Sequence, residues 1–424
     1  LSGMLPVCSV RDLPGSYHLS SQKRCSRLLE IEAPGSTSPL PYHLGRAHEL
    51  FLELFGGVED LIKDKQHLFI VPSGPLSSLP FHALVTEKPE LWLPKSFHDY
   101  RRAAWLGKRH AISILPSVAS LKALRVLSPT TLAAKPYIGY GNPVLAGDSS
   151  CRIDRAPDRC PGPEAVSANY GKSATGHALA GRATVRGRSG RRNGDLDAMF
   201  AKGAEQETIL ANVRNLCPLP DSEFEVRCVA ERLGAGSAVK VDSAATEADI
   251  KRLSKDKVLA DYRVVHFATH GLVAGDVERM AARKGEPALV LTPPKSPTDK
   301  DDDGLLTASE IAQLELNADW VVLSACNTAA AEKPGAEALS GLARAFFYAG
   351  ARSLLVSHWP VYSDAAVRLT TRAFSAMDER KGIGRAEALQ IAMNDLIDDT
   401  SQPDNAHPAV WAPFMLVGEG GAGR

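Results

Sequence analysis

The feature that most constrains the fold is an alternation of apolar strands and amphipathic helices in the second half of the chain. Apolar runs such as residues 262–268 and 320–324 have the length and content of buried strands. Between such runs, apolar residues recur at helical spacing, as they do before Gly350. Strands that are apolar along their whole length are buried on both faces, and such strands are typical of parallel sheets. We therefore expect an α/β fold with a mainly parallel sheet and helices on both faces.

Local sequence signals predict where several helices begin and end. Thr246 has the position and residue type of an N-cap, and Thr307 with Glu310 has the spacing of a capping box. Gly350 stands where a helix C-cap glycine is expected. Helices are predicted over residues 222–233, 246–253, 364–377 and 385–397, and further strands over residues 239–241, 288–291, 352–357 and 411–417.

The first half of the chain is less regular and is followed by a basic stretch. Strands are predicted over residues 68–72, 111–115 and 136–140, and a helix around residues 50–54. From Cys151 to Gly194, nine Lys or Arg residues face three Asp or Glu residues, and hydrophobic periodicity is lost. This composition predicts an exposed, largely disordered insertion. The expected organisation is an N-terminal segment over 1–45 that is the tail of a longer regulatory region, an α/β part over 46–145, the insertion over 146–200, and a C-terminal part over 201–424.

Composition excludes several classes of protein. The formal net charge is zero and 44% of the residues are hydrophobic, which is ordinary for a soluble globular protein, so no nucleic-acid partner is expected. No apolar run approaches the roughly 18 residues of a membrane span, and no signal peptide is visible. The seven cysteines are scattered and show neither a CxxC pair nor metal-ligand spacing. We expect a cytoplasmic protein with reduced thiols, no membrane contact, and no metal or organic cofactor.

Two reactive side chains follow two of the predicted strands. His270 comes after the strand that ends at Ala268, and Cys326 comes after the strand that ends at Ser324. Adjacent parallel strands would bring both to one edge of the sheet, where a histidine can take up a thiol proton and the thiolate can attack a carbonyl. The N–H groups of Gly271 and Cys326 would then stabilise the oxyanion. The alternative is a structural, hydrogen-bonded histidine and a buried, inert cysteine; His266, inside its strand, is expected to be packed.

Six longer stretches carry a family resemblance. They are LFIVPSGPLSSLPFHAL, YIGYGNP, VVHFATHG, GLLTASEIAQLELNADWVVLSACNTA, EALSGLARAFFYAGARSLLVSHWPVYSDAAV and HPAVWAPFMLVG. In this order they resemble the signature blocks of CHAT domains, caspase-like proteins of the clan that contains caspases and separase. The resemblance covers about residues 46–418, with the basic insertion as a departure. It implies a caspase–hemoglobinase-like three-layer fold and a cysteine endopeptidase whose dyad is His270 and Cys326.

The resemblance also bears on the substrate and on regulation. Several clan relatives that cut after Arg or Lys carry an Asp two residues before the nucleophile, where this chain has Ser324. The stretch WPVYSDAAV resembles the part of separase whose Asp faces an arginine, which implies that Asp364 binds substrate; the alternative is that Asp364 caps a helix. If Asp364 binds arginine, the basic insertion offers sites for self-processing. CHAT domains often follow tetratricopeptide or other partner-binding repeats that control them, and no such repeat is visible here. We therefore expect the regulator either in a longer form of the protein or in a regulatory partner protein.

The resemblance leaves a second function open. A CHAT-type module can keep both dyad residues and serve as a catalytically silent signalling or peptide-binding module, because a fold does not by itself imply an activity. The partner expected for either function is a protein or a peptide.

Overall fold

The structure of the chain is a computed structural model. It describes residues 41–126, 133–147, 151, 160, 206–274, 277, 285–295, 302–324, 341–359 and 361–421. The strands are β1 (His67–Ile70), β2 (Ala111–Ile114), β3 (Lys135–Pro143), β4 (Val239–Asp242), β5 (Tyr262–Ala268), β6 (Gly271–Leu272), β7 (Ala288–Val290), β8 (Leu305–Thr307), β9 (Trp320–Leu323), β10 (Ser353–Ser357) and β11 (Phe414–Gly418).

The α-helices that the structure describes lie mostly between these strands. They are α1 (Leu44–Phe55), α2 (Glu59–Ile62), α3 (Phe97–Arg101), α4 (Leu106–Arg109), α5 (Val118–Val126), α6 (Gln206–Arg214), α7 (Pro220–Arg232), α8 (Glu247–Lys255), α9 (Ala308–Ile311), α10 (Gly341–Ala349), α11 (Ser363–Glu379), α12 (Arg385–Asp398) and α13 (Pro408–Trp411).

The main sheet has eight strands in the order β1-β2-β11-β10-β9-β5-β3-β4. Its neighbouring strands are parallel except β10 and β11, which are antiparallel. The sheet therefore consists of two parallel blocks that run in opposite directions. The carboxyl ends of β3, β5, β9 and β10 lie at one edge, and those of β1, β2 and β11 lie at the other. The prediction of a mainly parallel α/β sheet is confirmed.

Both faces of this sheet are buried, as the apolar strands predicted. Along β9, Trp320 and Val322 belong to one buried apolar cluster, and Val321 and Leu323 belong to another. Because successive side chains of a strand point to opposite faces, the two clusters lie on the two sides of the sheet. Helices α7, α11 and α12 pack together on the first side. Helices α8, α9 and α10 contribute to the second.

The predicted helix ends agree with the structure. The hydroxyl of Thr246 accepts a hydrogen bond of 3.1 Å from the N–H of Asp249. Thr307 and Glu310 form the capping box that starts α9. Gly350 ends α10 with a φ of +110°, in the left-handed region that favours glycine.

A second, smaller sheet was not predicted. Strands β6, β7 and β8 form an antiparallel three-stranded sheet, and α6 packs on it through Ile209 and Val213. Residues 288–290 were predicted to be a strand, but β6 and β8 have only two and three residues and carry no periodic signal. Trp411, expected in the last strand, lies in the short helix α13.

The four cysteines within the described part of the chain form two disulfide bonds. Cys151 is bonded to Cys217 and Cys160 to Cys228, with Cα–Cα distances of 5.5 and 5.3 Å. The expectation of separate, reduced thiols is wrong for these four residues. Each pair is separated by more than sixty residues in sequence, so local spacing gave no sign of it.

The predicted division of the chain stays a prediction. Most of the segment over 1–45 and of the insertion over 146–200 lies outside the described residues. Strands β2 and β3 from the part over 46–145 pair with strands of the C-terminal part, and β1 pairs with β2, so all belong to one sheet. No helix in the part of the chain that the structure describes is both long and apolar enough to cross a membrane.

Candidate active site

The candidate site lies at the edge of the main sheet where β5, β9 and β10 end. These three strands are consecutive and parallel. The register pairs Phe267 of β5 with Leu323 of β9, and the N–H of Ser324 donates a hydrogen bond of 3.0 Å to the carbonyl of Phe267. The ends of β5 and β9 are therefore level. His270 comes two residues after the end of β5, and the chain continues from the end of β9 through Ser324 to residues outside the described part.

His270 follows β5 by two residues and is buried, with 3% of its surface exposed. Its Nε2 lies 2.7 Å from the carbonyl oxygen of Cys217. A carbonyl oxygen can only accept, so Nε2 carries the hydrogen and donates it. In the neutral ring, Nδ1 is then the nitrogen that can take up a proton. The ring is thus held in one tautomer, with its basic nitrogen on the side away from Cys217.

Cys326 lies outside the described residues, as does Ala325 before it. The last described residue of that segment is Ser324, which is fully buried. The distance between the sulfur of Cys326 and the ring of His270 stays a prediction, which the level ends of β5 and β9 support.

Gly271, the expected oxyanion donor, is the first residue of β6 and pairs with Leu289 of β7. The N–H of Val290 donates to the carbonyl of His270, so the pair of Gly271 and Leu289 is of the non-hydrogen-bonded kind. The N–H of Gly271 therefore points away from β7. The β6–β7 ladder does not use this N–H group. An N–H group that donates to an oxyanion has to lie outside such a ladder.

Asp364 lies beyond the carboxyl end of β10, in the first turn of α11. The N-cap residue of α11 is Tyr362, so Asp364 does not fill the capping position that was the alternative. A carboxylate in the first helical turn is stabilised by the helix dipole. Burial, and next the charge of Asp364, raise the pKa of Tyr362 above its usual value.

A buried carboxylate lies beneath the site. Glu225, on α7, has no exposed surface, and its Oε2 accepts a hydrogen bond of 3.2 Å from the hydroxyl of Ser324. Its Oε1 lies 3.2 Å from Nε2 of His266 and 3.2 Å from the hydroxyl of Thr370. His266 is fully buried and packed, as predicted. Glu225 thereby connects α7 and α11 to the two strands that carry the candidate dyad.

Sequence reasoning missed Glu225, although a signal was present. Ser222, Glu225, Val226 and Val229 have the i, i+3, i+4, i+7 spacing of a buried helix face, and all four are buried. A charged residue in the middle of such a face needs polar partners in the core. The sequence could have marked Glu225 as a buried group, but not named the residues that meet it.

Two further histidines lie within the fold beside this edge. His358 directly follows β10, and neither ring nitrogen has a hydrogen-bond partner among the residues that the structure describes. Burial lowers its pKa to about 3, and the charge of His82 adds to this effect. Burial also lowers the pKa of His82 to about 4, although its Nε2 bonds the carbonyl of Ala412. Both rings are neutral at neutral pH.

The described residues include no group of three or more His, Cys, Asp or Glu side chains placed to hold a metal ion. The arrangement at the sheet edge instead supplies an oriented imidazole, an N–H group outside the ladder and a carboxylate. These are groups that acyl-transfer chemistry uses.

Comparison with known sequences gives two kinds of match. Residues 45–419 match the family model described as CHAT domain. Tetratricopeptide repeat protein 28 of Homo sapiens is 31% identical over an alignment of 226 residues, and the match covers 47% of this chain and 8% of that protein. The Mus musculus protein of the same name is 30% identical over an alignment of 223 residues, and the match covers 47% of this chain and 9% of that protein. The chain spans less than a tenth of the length of these curated relatives.

Solved structures give weaker matches. The Arg-specific cysteine proteinase gingipain R aligns with 89% of this chain and 67% of its own chain, at 9% identity and a TM-score of 0.39. The Saccharomyces cerevisiae separase–securin complex aligns with 83% of this chain and 15% of that chain, at 12% identity and a TM-score of 0.38. Both TM-scores are too low to equate folds, so the sequence match over residues 45–419 carries more weight.

Proposed function

Because this chain belongs to the CHAT domain family, we propose that it is a cysteine endopeptidase that cleaves a protein substrate with His270 and Cys326. The observation that carries the proposal is the level ending of the adjacent strands β5 and β9, after which these two residues follow. The hydrogen bond from His270 to the carbonyl of Cys217 supports it, because the bond leaves Nδ1 as the basic nitrogen.

In the proposed reaction, Nδ1 of His270 accepts the thiol proton of Cys326, and the thiolate attacks the carbonyl carbon of the scissile peptide. The N–H groups of Gly271 and Cys326 donate to the oxyanion. The C–N bond breaks, and the imidazolium gives its proton to the leaving amine. Water then attacks the thioester carbonyl, with His270 again as the base. The C–S bond breaks, Cys326 leaves as a thiolate that takes the proton back from His270, and the carboxylic acid is released. No cofactor takes part in any of these steps.

We assign substrate binding to Asp364. Strand β10 is the neighbour of β9, so the first turn of α11 stands at the same edge as the candidate dyad. A carboxylate there would pair with an Arg or Lys side chain before the scissile bond. The arginines of the insertion over 146–200 are then substrates within the chain itself, and self-processing is part of the proposal.

The experiment is a peptide-library cleavage profile of the wild type beside Cys326→Ala and Asp364→Asn. Removal of the nucleophile is expected to lower cleavage by about 10³-fold or more, with the far-UV circular dichroism unchanged. Asp364→Asn is expected to remove the preference for Arg and Lys while cleavage at other residues persists. Cleavage that survives Cys326→Ala at the wild-type rate would refute the assignment of the nucleophile.

One observation favours the second function, a catalytically silent signalling or peptide-binding module. The curated relatives are named for their tetratricopeptide repeats, and these names state no activity. Labelling with iodoacetamide over a pH series separates the two functions. An activated Cys326 reacts at pH values well below about 8.5, which is the pKa of an ordinary cysteine, whereas the thiol of a silent module does not.

Regulation and location complete the proposal. Control by tetratricopeptide repeats, in a longer form of this protein or in a partner protein, is supported by the names of the relatives. We also propose the cytoplasmic location that the sequence predicts, on one condition. Disulfides that occur in reducing compartments are usually transient and redox-sensing, so the two disulfides found here would have to be reversible.

A further inference from the structure

The hydrogen bond that orients His270 ends on a residue that is itself cross-linked. Nε2 of His270 donates to the main-chain carbonyl of Cys217, and the side chain of Cys217 forms a disulfide with Cys151. The carbonyl that accepts the hydrogen bond from the candidate base and one end of a disulfide therefore belong to the same residue. A change in the disulfide acts on the backbone of Cys217 without an intermediate residue.

The segment that carries this carbonyl is short and lies between two helices. Helix α6 ends at Arg214 and α7 begins at Pro220, so Cys217 is the middle of the connection over 215–219. The segment that follows β3 runs beside it, because the N–H groups of Ala146 and Gly147 both donate to the carbonyl of Arg214. Cys151 is four residues further along. The disulfide thus fixes the centre of a connection whose ends are held by other bonds.

Gly147 shows how closely the disulfide is packed. Its φ is +66°, and a Cβ atom there would lie 2.9 Å from the sulfur of Cys151 and 2.8 Å from Pro218. Only glycine fits between the disulfide and the residue after Cys217 without displacing one of them. The positions of Cys151 and of the peptide after Cys217 are therefore coupled by packing as well as by the covalent bond.

We propose that the Cys151–Cys217 disulfide is a reversible redox modification that controls the orientation of His270. In the oxidised protein the carbonyl of Cys217 is held at hydrogen-bond distance from Nε2, and the ring has one tautomer. In the reduced protein the connection over 215–219 relaxes and the ring loses its fixed acceptor. The consequence for cleavage rests on the proposed function, whereas the effect on the ring does not.

The chemistry is thiol–disulfide exchange with a dithiol as the reductant. Cys151 is partly exposed, whereas Cys217 is buried, so one thiolate of the reductant attacks the sulfur of Cys151. The sulfur–sulfur bond breaks, and Cys217 leaves as a thiolate that takes up a proton. The second thiolate of the reductant attacks the mixed disulfide, releases Cys151 and leaves as a cyclic or protein disulfide. Two electrons and two protons pass to the cysteine pair.

The second disulfide supplies a matched control. Cys160–Cys228 also joins the insertion to the folded part, but Cys228 lies within α7 and is fully buried. The carbonyl that accepts the hydrogen bond from Nε2 of His270 belongs to Cys217, not to Cys160 or Cys228. Cys160→Ser therefore removes a cross-link of similar sequence separation without touching the connection over 215–219.

The test uses the full chain with Cys326→Ala, so that the reductant does not act through the nucleophile. Peptide mapping of the non-reduced protein is expected to find Cys151 linked to Cys217. The Nε2–H signal of His270, identified among the twelve histidines by its loss in His270→Gln, is then followed by ¹H–¹⁵N NMR. We expect a protected signal in the oxidised protein, and its loss after reduction with dithiothreitol. Cys151→Ser should show the loss without reductant, and Cys160→Ser should behave as the parent.

Three outcomes would overturn the proposal. The first is that mapping finds Cys151 and Cys217 unlinked. The second is that the Nε2–H signal persists after complete reduction and in Cys151→Ser. The third is that both treatments abolish the helical circular dichroism, because the disulfide would then hold the whole fold rather than one ring. A wild type that cleaves no peptide would refute the peptidase and leave the expected NMR result unchanged.

Discussion

His358 and His82 are buried rings, with 8% and 6% of their surfaces exposed, and both are neutral at neutral pH. Such a residue resists protonation in the folded state and accepts it once the chain unfolds. Below the ordinary histidine pKa of 6.5, the unfolded state therefore binds more protons than the folded state, and the stability falls as the pH falls. The loss ends near the folded-state pKa values, about 4 for His82 and about 3 for His358.

We expect His358→Leu to make the protein less sensitive to acid. Between pH 7 and pH 5, the free energy of unfolding of the wild type should fall by about 2 kcal/mol more than that of the variant. Urea unfolding at each pH measures both slopes. His98→Leu, which alters an exposed ring, is the control and should keep the wild-type slope. Equal slopes in His358→Leu and the wild type would contradict the assignment.

Single residues also show how far the sequence could predict the site. The position of His270 was predictable, because His270 and Gly271 stand two and three residues after a run with the length and content of a buried strand. The carbonyl of Cys217 was not, because any residue type supplies a carbonyl and only the fold decides which one meets a ring. The side chain of Cys217 gave no hint either, since its disulfide partner is 66 residues away in sequence.

At the level of elements, the turn between α10 and β10 depends on one glycine. Gly350 has a φ of +110°, and a Cβ atom there would lie 2.3 Å from the carbonyl oxygen of Leu316. Gly382 also has a positive φ, +94°, but a Cβ atom there would meet nothing within 4 Å. Comparing substitutions at the two positions therefore separates the free-energy cost of a left-handed backbone from the free-energy cost of a steric clash.

Gly350→Ala is expected to destabilise the protein more than Gly382→Ala. The backbone cost alone is roughly 1–2 kcal/mol, and the clash with Leu316 should raise the loss for Gly350→Ala to about 3 kcal/mol or more. Thermal and urea unfolding of both variants measure the difference. Equal losses would mean that the connection before β10 shifts to accommodate the methyl group.

Most strands of the main sheet, and the helices α7, α8, α11 and α12, were predictable to within a few residues. A wholly apolar run marks a buried strand, and apolar residues at helical spacing mark a helix. The small sheet was not predictable, because β6 and β8 are too short to show a period and become strands only by pairing with β7. The reversal at β11 was equally hidden. Phe414–Gly418 is an apolar run that would suit either direction, and the chain path through α11, α12 and α13 decides it.

At the level of the whole molecule, the insertion separates strands that are neighbours in the sheet. Strand β3 precedes the insertion, and its two neighbours, β4 and β5, follow it. The two disulfides likewise each join a cysteine at 151 or 160 to one at 217 or 228. A cut between residues 161 and 205 therefore leaves two fragments that share one sheet and two covalent links.

Limited trypsin treatment tests this arrangement. Cleavage at the arginines of residues 182–192 is expected to leave one band in non-reducing denaturing gels and two bands after reduction. In the double variant Cys151→Ser, Cys160→Ser, the fragments should separate in denaturing gels without reductant but elute together in native gel filtration. Separate elution in native buffer would show that the pairing of β3 with β4 and β5 does not hold the fragments.

The place of β3 between two later strands also governs how the molecule can be assembled. During synthesis, β3 has no lasting partner until the ribosome has passed the insertion and made β4 and β5, so the centre of the sheet closes late. Produced as separate polypeptides, the part with β4 and β5 lacks the strand that lies between them, and the part with β3 lacks both neighbours of that strand. Mixed together, they should restore the whole sheet by complementation, as a split protein does.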